Sequence, residues 1–228
     1  MTKLSDELKT LLYDNGAAIV GFADLSAIVD HNMTSGVSIA INIPIEIIKS
    51  IHDGPTIDYY NACHSINDKL NQLVSMGADF LMNKGYEAYA QTTDVVKEYD
   101  VYRTALPHKT VATNAGLGWI GKSALFVTEQ FGSAVRLSSL VTNAELEYGI
   151  PITTSKCGGC MKCTNACPAN AISGELWSVS VDRDTFFDAL ACRKKARELA
   201  AAQIDKEITL CGKCIEVCPY TKRYINGN

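Results

Sequence analysis

With 228 residues, the chain has room for one domain or for one domain and a small module, and its 47% hydrophobic content suffices for a buried core. Its net charge of -4 lacks the basic footprint of an electrostatic nucleic-acid binder, so nucleic acid is an unlikely partner on composition. Nine cysteines are present, eight of them after residue 156, in a chain that offers no secretory context for a disulfide scaffold.

In chain order, the first residues are acidic and carry no apolar core segment, which speaks against a signal peptide. No apolar run reaches the roughly 18 residues of a membrane helix. A reducing, cytoplasmic setting without membrane contact is therefore expected. Leu4, Leu8, Leu11 and Leu12 follow helical spacing and predict a helix over 5–15, stopped at Gly16. Strands are predicted over 17–22 and 37–43, with a turn over 30–36 between them. A long helix is predicted over 55–84, with Gly77 as a dividing point and Gly85 as a stop. Further expectations are a strand over 86–92 and a helix over 107–115 opened by Pro107. A hairpin is predicted from 124–128 and 134–141, and a helix over 184–202. The fold class is α+β, divided into a domain over 1–150 and a smaller module over 151–228.

The module is where the cysteines lie. Cys157, Cys160, Cys163 and Cys167 are separated by gaps of two, two and three residues, and Pro168 follows. That run wraps cubane iron–sulfur clusters. A shorter copy, Cys211, Cys214 and Cys218 before Pro219, closes the chain. In two-cluster ferredoxins the fourth cysteine of each run crosses to the other cluster. Applied here, Cys157, Cys160, Cys163 and Cys218 take one [4Fe-4S] cluster. Cys167, Cys211 and Cys214 take the second, with Cys192 filling the missing place. Zinc also takes four thiolates, but three cysteines at this spacing fit it poorly. Cys63, alone on an apolar helix face, reads as core.

Ala115-Gly116-Leu117-Gly118-Trp119-Ile120-Gly121-Lys122 matches G-x-G-x-x-G. The dinucleotide reading requires a strand before it and a helix after it, and neither is predicted. A tight turn requiring glycine, or a backbone surface beside a large ligand with Lys122 near its phosphate or amide groups, remain as readings. The four histidines make no i, i+4 metal pair. Arg193, Lys194, Lys195 and Arg197 lie beside Cys192 as a solvated face or a docking patch.

The stretch 115–122, with Phe131-Gly132-Ser133 and the two cysteine groups with Cys192 between them, resembles the epoxyqueuosine reductases and the related reductive dehalogenases. The resemblance implies a nitroreductase-like α+β domain ahead of a ferredoxin-like module. It also implies a cobalamin beside the clusters, placing Gly116, Gly118, Trp119, Gly121 and Lys122 as cofactor-binding residues. Longer members carry a C-terminal helical-repeat extension linked to tRNA binding, whereas this sequence stops ten residues after Cys218, as a short form would. The family's catalytic aspartate lies thirteen residues before the alanine of Ala-Gly-Leu-Gly, and that offset falls on Tyr102. Tyr102 is therefore the expected proton donor, with Asp100 or His108 in its place after a shift of register. The expected activity is electron transfer through two clusters to a corrinoid that reduces a small-molecule substrate, fed by an external donor of ferredoxin or flavodoxin type. An electron-transfer module serving a partner protein is the alternative, and tRNA epoxyqueuosine reduction the third reading.

Overall fold

The computed structural model describes residues 3–227. In chain order the elements are α1 (Lys3–Asp14), β1 (Ile19–Asp24), β2 (Ser35–Asn42), α2 (Ile45–Ser50), α3 (Ile57–Asn83), β3 (Ala88–Gln91), α4 (His108–Asn114), β4 (Trp119–Ile120), β5 (Phe126–Val127), β6 (Val135–Thr142), α5 (Lys162–Ala166), α6 (Arg183–Phe186), α7 (Ala189–Ile204), α8 (Lys213–Glu216) and α9 (Pro219–Asn226). The fold is mixed α+β. It divides into two compact units that interleave in sequence rather than meeting at one boundary near residue 150.

The first unit takes the chain up to Ile41, then Ile66–Gly118 and Arg136–Ile152. Its centre is a four-stranded sheet in the order β1-β2-β6-β3. β1 and β2 are antiparallel, with Ile19 opposite Ala40 and Asp24 opposite Ser35. β3 and β6 are antiparallel as well, with Ala88 opposite Thr142. Ile19 to Ala23 are all buried, so both faces of β1 are covered, and α1 and α4 both pack on that strand. Leu8 and Leu12, one helical turn apart on α1, are completely buried. Val111 and Ala115 form a core cluster with Ala23, Leu25 and Val141.

The second unit takes Asn42–Ser65, Trp119–Val135 and Thr153–Asn228. β4 and β5 pair antiparallel, with Trp119 opposite Val127. Trp119 is wholly buried and meets the edge of Tyr220 at 4.9 Å between ring centroids. Tyr224 of α9 donates its hydroxyl to the Ile43 carbonyl (3.2 Å) and accepts from Asn42 (2.8 Å). Its ring stands edge-on to Phe131. Glu216 of α8 is buried, and its carboxylate accepts from Lys222, from Lys213 at 3.3 Å and from His52 at 3.4 Å. Against the opposing effect of burial, these hydrogen bonds and the Lys222 charge hold it below the usual carboxylate range. One carboxylate thus ties α9 and the segment after α2 to α8.

Several expected elements differ. Gly77 does not divide α3, which is continuous; a Cβ there would stand 2.8 Å from Leu140 Cδ2, so the glycine serves close packing on β6. The predicted hairpin of 124–128 with 134–141 does not form, because β5 pairs back to β4 while β6 joins the large sheet. A bridge between Thr128 and Gly132 folds the intervening turn on itself, which frees β6 to leave in another direction. The helix over 184–202 is two helices. Asp182 and Asp188 each cap a separate start, accepting from Asp184 N and Ala191 N, and Phe187 between them is extended. The segment over 30–36 is a turn only to Thr34, and the short α2 was not anticipated.

Candidate metal centre

The eight clustered cysteines sit on short elements of the second unit. Cys157 and Cys160 lie in the loop before α5, where Gly158 has a φ of 52° and Cys160 N donates to the Cys157 carbonyl at 3.1 Å. Cys163 is in α5, and Cys167 is its C-cap. Cys192 is on the first turn of α7. Cys211 precedes Gly212, whose φ of 83° caps α8, and Cys214 is in α8. Cys218 is the N-cap of α9, and Pro219 opens that helix at its first position rather than turning the chain aside. All nine cysteines are free thiols, and the eight are half-buried.

Two groups emerge from their mutual influence. Burial pushes the Cys163 thiol up to about 11, and Cys157, Cys218 and Cys160 add to the rise. Burial likewise pushes Cys192 up to about 11, with Cys167, Cys211 and the Asp188 carboxylate adding to it. Cys214 is raised well above its ordinary value, by burial and then by Cys211, Cys192, Cys163 and Cys167. These influences associate Cys157, Cys160, Cys163 and Cys218 with one another, and Cys167, Cys192, Cys211 and Cys214 with one another, although Cys163 of the first set also acts on Cys214. Each gathering draws on both sequence runs. Neutral thiols crowded in this way become thiolates once iron replaces their protons. Backbone amides approach the sulfurs too, with Ala171 N donating to Cys167 Sγ at 3.4 Å.

The first gathering surrounds a cavity of about 40 Å³, also walled by Gly121, Lys122, Val127, Cys214 and Tyr220. Among the described residues, no group of three or more His, Cys, Asp or Glu converges tightly enough for a single metal ion. Sulfurs set around a cavity suit a cubane, whose irons hold the thiolates apart.

The glycine stretch has a clear local cause. Gly116 is the left-handed residue after α4, with φ 73°, and Leu117 N donates to the Ala112 carbonyl in the manner of a helix C-cap. A Cβ on it would stand 2.5 Å from the Ile150 carbonyl oxygen. Trp119 is core, although its indole Nε1 has no hydrogen-bond partner among the described residues. Gly121 lets the chain pass close to a sulfur, since a Cβ there would lie 3.5 Å from Cys157 Sγ. Gly118 joins the two halves of this stretch in sequence.

The expected proton donors lie in the first unit. Asp100, Val101 and Tyr102 form a left-handed turn with φ of 28°, 42° and 61°, closed by a bridge between Tyr99 and Arg103. Three successive non-glycine residues in that region are costly. Both candidate side chains are exposed there. His108 instead opens α4, and burial pulls its pKa down to about 4. Its Nδ1 is 2.8 Å from Ser139 Oγ, which itself donates to Gln91 Oε1 at 2.8 Å. Ser139 has spent its proton on Gln91, so His108 must carry its own on Nδ1 and present a bare Nε2. Met161, Tyr220 and the Ser139–Gln91 pair were not anticipated. The first two adjoin cluster cysteines in sequence, which was the available signal; the last pair left none.

Residues 156–221 match the family model of the 4Fe-4S double cluster binding domain. That stretch of the module is similar to a double-cluster domain. Part of the chain is similar in sequence to epoxyqueuosine reductases, and its fold is similar to those of epoxyqueuosine reductases and reductive dehalogenases. An epoxyqueuosine reductase of Synechocystis sp. is 30% identical over 59% of this chain and 46% of its own length. The chain thus spans about half the length of that relative. A solved epoxyqueuosine reductase bound to an epoxyqueuosine-modified tRNA stem loop shares the fold with a TM-score of 0.66 at 21% identity, over 96% of this chain and 66% of that one. A reductive dehalogenase, whose structure suggests a mechanism for B12-dependent dehalogenation, reaches a TM-score of 0.66 at 20% identity, over 93% and 31%. These relatives correct two expectations. A small-molecule substrate and the exclusion of nucleic acid do not stand beside curated relatives named epoxyqueuosine reductase and a solved epoxyqueuosine reductase holding a modified tRNA stem loop. Net charge does not exclude such a partner, because it averages the whole surface, whereas a stem loop meets only part of one.

Proposed function

We propose that the chain is an iron–sulfur reductase of an epoxyqueuosine-type nucleoside carried by tRNA. The observation that carries this reading is the pair of four-cysteine gatherings, in a chain similar to epoxyqueuosine reductases. On this reading Cys157, Cys160, Cys163 and Cys218 hold one [4Fe-4S] cluster, and Cys167, Cys192, Cys211 and Cys214 the other. A corrinoid accompanies them, as the B12-dependent relative suggests. The unpartnered, buried Trp119 Nε1 supports that fit, because an indole N–H needs an acceptor and corrinoid side-chain amides provide one. Trp119, with the backbone of Gly121, would hold the group. When bound, the clusters and corrinoid supply low-potential electrons one at a time, which the side chains cannot do.

The side chains handle protons. Reducing an epoxide to an alkene takes two electrons and two protons and releases water. Tyr102 and Asp100 share one turn and are the proposed donors, presented to an incoming nucleoside by an exposed segment. His108 is neutral at neutral pH, with Nδ1–H fixed toward Ser139. It acts as an acceptor through Nε2, orienting a hydroxyl or amine, and not as the acid. The first unit is nitroreductase-like on this reading, its antiparallel pairs flanked by helices that cover β1. No helix among the described residues is long and apolar enough to cross a membrane. A cytoplasmic location accords with tRNA as substrate.

The test is anaerobic. Protein reconstituted with iron, sulfide and cobalamin is incubated with an epoxyqueuosine-modified stem loop and a low-potential reductant, and the nucleosides are weighed by mass spectrometry. Loss of one oxygen atom from the modified nucleoside is expected. Unchanged nucleoside with fully loaded protein would overturn the proposal.

A further inference from the structure

Lys122 is a buried cation among sulfurs. It follows β4 in a tight turn in which Gly121 N donates to the Leu125 carbonyl and Ala124 N to that of Gly121, both at 2.9 Å. The turn carries the side chain inward, leaving the residue 4% exposed on the wall of the cavity ringed by Cys157, Cys160, Cys163 and Cys218. Its ammonium donates to Met161 Sδ at 3.5 Å, a weak acceptor, and no carboxylate among the described residues pairs with it. Elsewhere in this unit cations find carboxylates: Lys156 meets Glu129, and Lys213 and Lys222 converge on Glu216. A buried ammonium without a counter-charge is costly. The anion that fits this place is the cluster itself, since a cubane with four thiolates is negative, and more so once reduced.

We infer that Lys122 is the counter-charge of the cluster seated by Cys157, Cys160, Cys163 and Cys218, and makes it the more readily reduced of the two. A fixed positive charge favours the reduced, more negative form and so raises the potential. Among the described residues, the charges at the other gathering are of both signs. Cys192 faces the Asp188 carboxylate. Lys213 favours the Cys211 thiolate, but its ammonium donates to the Glu216 carboxylate, which offsets its charge, and to the His52 carbonyl. An electron from a low-potential one-electron reductant therefore settles on the Lys122 side, whichever cluster receives it first. This inference rests on the cluster ligand sets proposed above and is independent of the tRNA substrate.

The experiment is an EPR-monitored redox titration of the holoprotein against dithionite, for wild type, Lys122→Met and Lys122→Arg, with iron and sulfide counted in each. At the solution potential that half-reduces the wild-type cluster, Lys122→Met lowers the ratio of reduced to oxidised by tenfold or more, about 59 mV for a one-electron couple. Lys122→Arg stays within about threefold, and the second midpoint does not move. Should Lys122→Met lose about four irons while Lys122→Arg keeps them, the charge is needed to hold the cluster at all, which also supports the inference. Fully loaded Lys122→Met with an unmoved midpoint overturns it. So does an equal shift, or an equal loss of iron, in both variants, because packing and not charge would then be the cause. An error in the ligand sets shows separately, in the iron content of cysteine variants, and an error in the substrate shows only in the tRNA assay.

Discussion

Replacing Cys192 by alanine tests the ligand assignment at its least obvious point. Cys192 belongs to neither cysteine run and lies 25 residues past Cys167 and 19 before Cys211 in sequence. Its place beside those two comes from α7, whose first turn is fixed by Asp188 accepting from Ala191 N at 2.9 Å. Alanine is a better helix former than cysteine and leaves that cap intact, so the helix survives the change. What goes is one of four thiolates around one cubane. Iron content should fall from about eight to about four per chain, with the signal of the other cluster retained. Iron and sulfide analysis of anaerobically purified protein reads this directly. Cys63→Ala is the control, since Cys63 is buried in α3 and belongs to neither gathering, and it should keep about eight irons. If Cys192→Ala also keeps all of its iron, the exchange of ligands between the runs is wrong.

Three further outcomes follow from local geometry. His108 is held near 4, below its ordinary 6.5, so the unfolded chain takes up the proton first as pH falls. Its stabilising contribution is complete above pH 6.5 and is lost on descent toward 4. Between pH 6.5 and 5 the wild type should lose about 1.5 kcal/mol more than His108→Asn in denaturant titrations, and parallel curves would refute the burial argument. Gly116→Ala forces a side chain into the left-handed region and against the Ile150 carbonyl, and should cost about 2 kcal/mol or more, read as a lowered denaturation midpoint. Asp188→Ala removes the cap of α7 and should cost about 1 kcal/mol, while Asp188→Asn, which still accepts, should recover most of it in the same measurement.

The parts of the fold that were legible in the sequence are those with a local cause. α1 and α3 announce themselves by apolar spacing, and α4 by Pro107 before it and Gly116 after it. The cysteine runs were legible because cubane chemistry constrains spacing more tightly than any fold does. What failed was long-range. A run such as Phe126–Val127 states that it is a strand but not which strand it will pair with, and β4 was nearer than β6. The break at Phe187–Asp188 was hidden because aspartate inside an apolar periodicity reads as a solvent-facing helical position until its cap is seen. The site divides in the same way. Trp119 and Lys122 were picked out by a motif suggesting an open phosphate cradle, yet they are among the most buried residues of the second unit.

That burial changes how the two cysteine runs are understood. On the assigned ligand sets, each cluster joins segments distant in sequence: the loop around Cys157 and α5 to the start of α9, and the end of α5 to α7 and α8. These helices are short, five residues for α5 and four for α8, and helices of that length do not hold themselves together. Thiols raised by burial, such as Cys163, Cys192 and Cys214, further oppose the thiolate form in the absence of iron. Iron binding therefore releases protons and supplies much of the free energy that orders this unit. On the proposed reading the clusters are also cross-links of the domain, so a ligand lost from one should lower the stability of the unit while the other cluster stays seated.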